Sequence, residues 1–171
     1  MISGLLEVVG AKLVPPTGPL IMMANHASRV VDGLLVQLAS PRRTMIVAHA
    51  AIATSVFLRP FFPRSRVIVV DDSLKSLKEM VDRCCASLAE GWTVLIFPEG
   101  RTMGDGIGSF RTGAGYVAAR ANCAATPVRI TRPSTLRYRV SFGEALAPPT
   151  GIDRASLKAY MASVKDHIST L

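Results

Sequence analysis

A chain of 171 residues with 49% hydrophobic residues and a net charge of +8 is long enough to bury a core of its own and short enough to form one domain. Mean hydropathy is +0.33, yet no stretch reaches the roughly 18 unbroken apolar residues of a membrane-spanning helix. The nearest, Met45 to Leu58, is interrupted by His49, Thr54 and Ser55 and flanked by Arg42, Arg43 and Arg59, which suits a buried helix or one lying at a membrane interface.

Most of the cations are arginine, the better bidentate ligand for phosphate and carboxylate. Anionic partners are therefore expected, whether phospholipid headgroups, phosphorylated thioester carriers or nucleic acid; a basic surface kept for solubility is the plain alternative. Aromatic residues are only 6% and do not interleave with the arginines as a nucleic-acid stacking platform requires. Cys84 and Cys85 are adjacent and Cys123 stands alone, a spacing that suits neither a disulfide framework nor a metal site, so reduced thiols are expected. Met1 is followed by no positively charged segment and no long apolar one, so no secretory signal is expected.

In chain order, residues 1 to 14 read as a short amphipathic opening helix that ends near Gly10 or before Pro15-Pro16. Leu20 to Ala24 reads as a buried strand, 30 to 39 as a helix closed by Ser40-Pro41, Thr44 to Ala48 as a strand, and Ala50 to Phe57 as a helix stopped by Pro60. Arg66 to Val70 is β-branched and short, a central strand, and Asp71-Asp72-Ser73 supplies the N-cap of the next helix. Leu74, Leu77, Met80, Val81, Cys84 and Leu88 mark one face of that helix, which ends at Gly91. Thr93 to Phe97 is a strand, 103 to 115 a glycine-rich loop and Tyr116 to Ala121 a helix. Thr126 to Ile130 and Arg137 to Phe142 are two more strands. Asp153 caps a last helix with Leu157, Tyr160, Met161, Val164 and Ile168 on its apolar face. Strands alternating with helices predict a single α/β domain over residues 1–171, with a largely parallel central sheet flanked by helices. Ligands in such sheets gather at the carboxyl ends of the strands.

Two stretches fall at such ends. Asn25-His26-Ala27-Ser28-Arg29-Val30-Val31-Asp32-Gly33 follows the first buried strand, and Phe97-Pro98-Glu99-Gly100-Arg101-Thr102 follows the Val94-Leu95-Ile96 run. A neutral imidazole accepts a proton from an alcohol near neutral pH, and a carboxylate on its other nitrogen fixes the tautomer. Six positions along one helix amount to about 600°, which leaves His26 and Asp32 about 120° apart. They can pair only with His26 in the loop and Asp32 in the first turns of the helix. The competing reading is a capping loop, with Asn25 or Ser28 as N-cap and His26 merely polar. In the second stretch Pro98 fixes a turn, and Gly100 lets the backbone approach a ligand. Arg101 suits a phosphate, while Glu99 accepts from a substrate hydroxyl or holds the arginine; a surface ion pair explains the two equally well. The backbone N–H groups of the glycines at 104, 106, 108, 113 and 115 are possible oxyanion donors. Neither a Walker loop nor a dinucleotide fingerprint is present.

Together these stretches resemble the glycerophospholipid acyltransferase family, typified by 1-acyl-glycerol-3-phosphate acyltransferase. Its first block is an asparagine, a histidine and an aspartate, matched by Asn25, His26 and Asp32. Its third is Phe-Pro-Glu-Gly with a nearby arginine, matched by Phe97 to Arg101. Arg66 to Asp72 stands in the place of the second block, and Pro127-Val128 matches the fourth, all in order over about residues 20 to 130. Gly113 to Ala119 and Pro127 to Ile130 read most like the acyltransferase domain of the bifunctional 2-acylglycerophosphoethanolamine acyltransferase/acyl-carrier-protein synthetase. The chain departs from the pattern in having five residues, not four, between His26 and Asp32, and in having Asp72 where many members carry an arginine. The usual amino-terminal membrane helices are not seen, so the chain is expected to be an excised domain of a larger multidomain protein or to rely on its own apolar and basic face.

The resemblance implies transfer of a fatty acyl group from acyl-CoA or acyl-carrier protein to the hydroxyl of a lysophospholipid, lysophosphatidate or lysophosphatidylethanolamine. His26 is the implied general base and Asp32 its orienting partner, with no covalent acyl-enzyme, cofactor or metal. The residues implied to bind the acceptor are Asn25, Ser28, Arg64, Arg66, Glu99, Gly100 and Arg101, with Arg64 or Arg66 taking the phosphate contact that Asp72 does not make. The implied setting is peripheral, on the anionic cytoplasmic face of a membrane, with no nucleic acid. A lipid-binding domain with a disabled dyad is the first rival; a nucleic-acid binder, suggested by charge alone, is the second. Trp92, His49 and His167 are read as structural.

Overall fold

The computed structural model describes residues 5–28, 31–50, 66–100 and 107–171. Among them, seven strands form one sheet: β1 (Leu6–Val9), β2 (Leu20–Ala24), β3 (Thr44–His49), β4 (Val67–Val70), β5 (Thr93–Ile96), β6 (Ala124–Ser134) and β7 (Arg137–Phe142). Their order is β1-β7-β6-β2-β5-β3-β4. Every neighbouring pair is parallel except the β6–β7 hairpin. Four α-helices are described: α1 (Asp32–Ala39), α2 (Leu74–Ala89), α3 (Gly113–Arg120) and α4 (Arg154–Thr170). The largely parallel α/β sheet expected from the alternation of elements is the sheet observed.

The run Leu20-Ile21-Met22-Met23-Ala24 is apolar at every position because β2 lies between two cores, and all five residues are fully buried. Ile21 and Met23 point to the face covered by α2, α3 and α4. Leu20, Met22 and Ala24 point to the other face, where Val36 and Ala39 of α1 pack. Two helix starts, those of α2 and α4, follow the expected capping chemistry. The Ser73 hydroxyl accepts from Ser76 N–H at the head of α2, and Asp153 accepts from the N–H groups of Ala155 and Ser156 at the head of α4. On α4, Leu157, Met161, Val164 and Ile168 are buried, with Tyr160 half-buried beside them.

Three expectations need correction. Residues 5–14, the described part of the opening segment, form no α-helix. Leu6–Val9 is a strand added to the sheet edge beside β7, and a short 3₁₀ turn follows at Ala11–Leu13. Adjacent β-branched Val8 and Val9 disfavour helix and suit a pleated edge. The helix placed at Tyr116 begins three residues earlier, at Gly113. Gly115 is inside it because a Cβ there would come within 3.1 Å of the Met161 sulfur on α4. On α2 the buried face is Met80, Val81, Cys84 and Leu88, while Leu74 and Leu77 are exposed. The helix expected over Ala50 to Phe57 lies outside the described residues apart from Ala50.

At the amino end of the sheet, the Arg42 guanidinium donates to the carbonyls of Pro15 (3.0 Å) and Gly18 (2.6 Å). Arg43 lies 4.1 Å over the Trp92 ring, so Trp92 has the structural role read for it. Gly10, between β1 and the 3₁₀ turn, has φ 70°, and a Cβ there would lie 2.2 Å from the Phe142 carbonyl oxygen of β7. Gly10→Ala is therefore expected to lower stability in urea unfolding by more than the ~1–2 kcal/mol of a left-handed alanine, because the edge strand must also move. A loss below that amount would show that the contact with β7 is not needed.

Candidate active site

The catalytic candidates lie where the chain reverses its direction across the sheet. From β2 the connection through α1 runs over one face toward β3, whereas from β5 it runs through α3 over the other face to β6. Adjacent parallel strands with divergent connections leave a crevice at their carboxyl ends. The residues leaving β2 and β5 begin the two stretches singled out in the sequence.

Asn25 closes β2 by replacing a ladder bond with its side chain. Its amide oxygen accepts from Ile130 N–H (2.8 Å), and its amide nitrogen donates to the carbonyls of Ile130 (3.0 Å) and His26 (3.3 Å). With both amide protons committed to backbone, Asn25 holds the loop in place and has none left to donate to an acceptor. The next residue, His26, is in the loop, and Asp32 is the first residue of α1, the only arrangement in which the pair can meet. His26 Nδ1 lies 2.9 Å from Asp32 Oδ2. The same oxygen accepts from the backbone N–H groups of Ala27 (3.2 Å) and Ser28 (3.0 Å). The five-residue spacing is thus accommodated by a loop that curls around the carboxylate. The N-cap is Val31, without a side-chain cap bond, so the capping-loop reading of Asn25 and Ser28 does not hold; Ser28 contributes its backbone N–H.

Asp32 is 2% exposed, and as a carboxylate it only accepts hydrogen bonds. The proton between the two side chains therefore belongs to His26 Nδ1, and the lone pair to Nε2. Phe97 fixes the ring from its face, stacked at 4.2 Å between centroids with the planes 11° apart. Nothing in the sequence assigned this role to Phe97; the available signal was its place at the head of the Phe-Pro-Glu-Gly block.

Glu99 is buried, at 3% exposure. Its Oε2 accepts from His26 N–H (3.3 Å) and its Oε1 from Gly108 N–H (3.1 Å). It is a strut between the two stretches, and it occupies one of the glycine-loop N–H groups considered for an oxyanion. Gly100, at φ 67°, turns the chain under Arg111, whose guanidinium carbon would lie 3.1 Å from any Cβ at that position. Arg111 N–H donates to the Pro98 carbonyl (2.9 Å), so its exposed side chain belongs to this turn. The sequence reading missed Arg111; it is the one cation inside the glycine-rich stretch 103–115.

Arg66 is not brought to the site. It precedes β4, which is three strands from β2 in the sheet order, about 14 Å away at ~4.8 Å per strand. It also lies below the carboxyl ends, since Val67 pairs with Ile46 in mid-strand. Arg64 and Arg101 lie outside the described residues. Asp72 faces His49, Nε2 to Oδ2 3.6 Å, and His167 bonds the Ser163 carbonyl within α4. Burial pushes the thiols of Cys84 and Cys123 up to about 12, which removes them as nucleophiles near neutral pH.

The acyltransferase family model matches residues 5–131. A 1-acyl-sn-glycerol-3-phosphate acyltransferase of Chlamydomonas reinhardtii is 31% identical over 138 residues, covering 77% of this chain and 40% of that protein. This chain thus spans less than half the length of that relative. The fold is similar to the crystal structure of the 1-acyl-sn-glycerophosphate acyltransferase PlsC from Thermotoga maritima, with a TM-score of 0.71 at 17% identity, covering 96% of this chain and 71% of that one. The matched residues 5–131 take in β2 and β5, the strands that His26, Asp32 and Glu99 follow, and the chain belongs to the glycerophospholipid acyltransferase family.

Proposed function

We propose that this chain moves a fatty acyl group from an acyl-CoA or acyl-carrier-protein thioester to the free hydroxyl of a lysophospholipid, with lysophosphatidate and lysophosphatidylethanolamine as the acceptor candidates. The observation that carries this reading is the 2.9 Å bond between His26 Nδ1 and Asp32 Oδ2, with Phe97 against the ring. In the proposed step His26 Nε2 removes the acceptor's hydroxyl proton, and the oxygen attacks the thioester carbonyl carbon. The C–S bond then breaks, and the departing thiolate takes the proton back from Nε2. Asp32 holds the Nδ1 proton and stabilises the transient imidazolium. Direct transfer needs no acyl-enzyme and no cofactor. The rival lipid-binding reading depends on a dyad pulled apart by its extra residue, and the bonded pair argues against it.

In this reading Glu99 and Gly100 shape the turn, and Arg101 and Arg111 bind the acceptor's phosphate by charge-assisted hydrogen bonds. The setting is peripheral, on an anionic membrane face. No helix among the described residues is long and apolar enough to cross a membrane.

His26→Ala is expected to lower kcat in a labelled acyl-transfer assay by about 10²–10⁴-fold, the usual worth of a general base, with the melting temperature nearly unchanged. Activity retained within a few-fold removes His26 as the base. Arg111→Ala and Arg101→Ala are each expected to raise the acceptor KM by about tenfold or more, the scale of a lost charged hydrogen bond. An acceptor KM that does not move in either variant contradicts the phosphate role.

A further inference from the structure

The β6–β7 hairpin projects past the active-site edge of the sheet. Strand β2 ends at Ala24, level with Val128 of β6, and Asn25 is bonded to the Ile130 backbone. Strand β6 then continues four residues to Ser134, about 13 Å further at ~3.3 Å per residue, in the direction in which the chain leaves β2 for His26. At the tip Leu136 is 71% exposed. Leu5, 55% exposed, is held beside it by a bond from Tyr138 N–H to the Leu5 carbonyl (2.8 Å). Two leucines from distant parts of the chain thus meet water at the same end of the sheet.

The hairpin itself carries charge of one sign. From Thr126 to Phe142 the chain carries Arg129, Arg132, Arg137 and Arg139 and no acidic residue. Arg129 is committed to the carboxyl end of α4 through the Ser169 carbonyl, and Arg139 to Glu7 (2.9 Å). Arg132 closes the tip on the Thr135 carbonyl (2.6 Å) and lies 5.5 Å over the Tyr138 ring, while Arg137 is exposed with no acidic partner among the described residues. Exposed leucines ringed by arginines match a bilayer interface, where apolar side chains enter the acyl boundary and cations meet lipid phosphates. The register shift between Thr131 and Ser134 and Pro133 make the hairpin a poor template for an added strand, which favours lipid over a protein strand.

We propose that the β6–β7 hairpin tip, Leu136 with Arg132 and Arg137 and the adjoining Leu5, docks the protein on an anionic bilayer with the His26 edge facing the lipid. The inference rests on the acyl-transfer reading only for the reason a bilayer is the partner, namely that a lysophospholipid acceptor resides there. The test is co-sedimentation of the full chain with phosphatidylcholine vesicles with and without phosphatidylglycerol, for the parent, Leu136→Asp/Arg137→Glu and the milder Leu136→Ser/Arg137→Gln, each checked for an unchanged melting temperature. The parent is expected to prefer the anionic vesicles, and the charge-reversed variant to bind them at least about tenfold more weakly. That variant should keep the parent's rate on acceptor dispersed as monomers and lose it on acceptor held in vesicles. Vesicle binding equal to the parent's in both variants overturns the proposal, and so does a parent indifferent to phosphatidylglycerol. Loss confined to transfer from acyl-carrier protein, with vesicle binding intact, makes the hairpin a protein-docking surface and equally overturns it. Absence of acyl transfer by the parent refutes the acyl-transfer reading, and the vesicle measurement still decides the hairpin.

Discussion

A carboxylate that is almost wholly removed from water must find hydrogen-bond donors or destabilise the fold that buries it. Asp32 finds three on one oxygen: the His26 ring and the N–H groups of Ala27 and Ser28. Its other oxygen is buried without a hydrogen-bond partner among the described residues, so the loop's order depends on Oδ2. The same three bonds set the path of the chain from β2 to α1, the tautomer of His26 and the direction of its free nitrogen. Loop geometry and the geometry of the His26–Asp32 pair are here one constraint.

Two further polar residues make that constraint stiff. Asn25 pins the start of the loop to β6, and Glu99 ties it to the turn after β5 and to Gly108. Both bind backbone groups, so each fixes the loop that carries His26. Phe97 covers the ring face that Asp32 does not control. A histidine held at its edge by Asp32 and at its face by Phe97, at the end of a strand buried on both sides, has little rotamer freedom left.

Much of the molecule is legible from one dimension. The uninterrupted apolar run at 20–24 marks a strand buried on both faces, and Ser73 and Asp153 mark helix starts. His26 and Glu99 can be assigned to strand ends before any coordinates are considered. What misleads is local pattern that another segment overrules. Residues 6–9 alternate too briefly to distinguish helix from edge strand, and the free edge of β7 decides. Gly113 and Gly115 look like loop glycines, but α4 needs the close approach that only a residue without a side chain permits. By sequence Arg66 stands in the second block, where a phosphate ligand is expected, yet it lies at the amino end of a strand three places from β2.

The sequence alone determined the class of fold, the central strand and the identity of the His-Asp pair, because apolar runs, caps and a compact motif are properties of neighbouring residues. Tertiary structure decided whether five intervening residues still let the pair bond, that Glu99 braces the loop, that Phe97 and Arg111 belong to the site, and that Leu5 and Leu136 share one end of the sheet. Each of these depends on residues separated along the chain and joined only by strand order and register, which one-dimensional spacing does not encode.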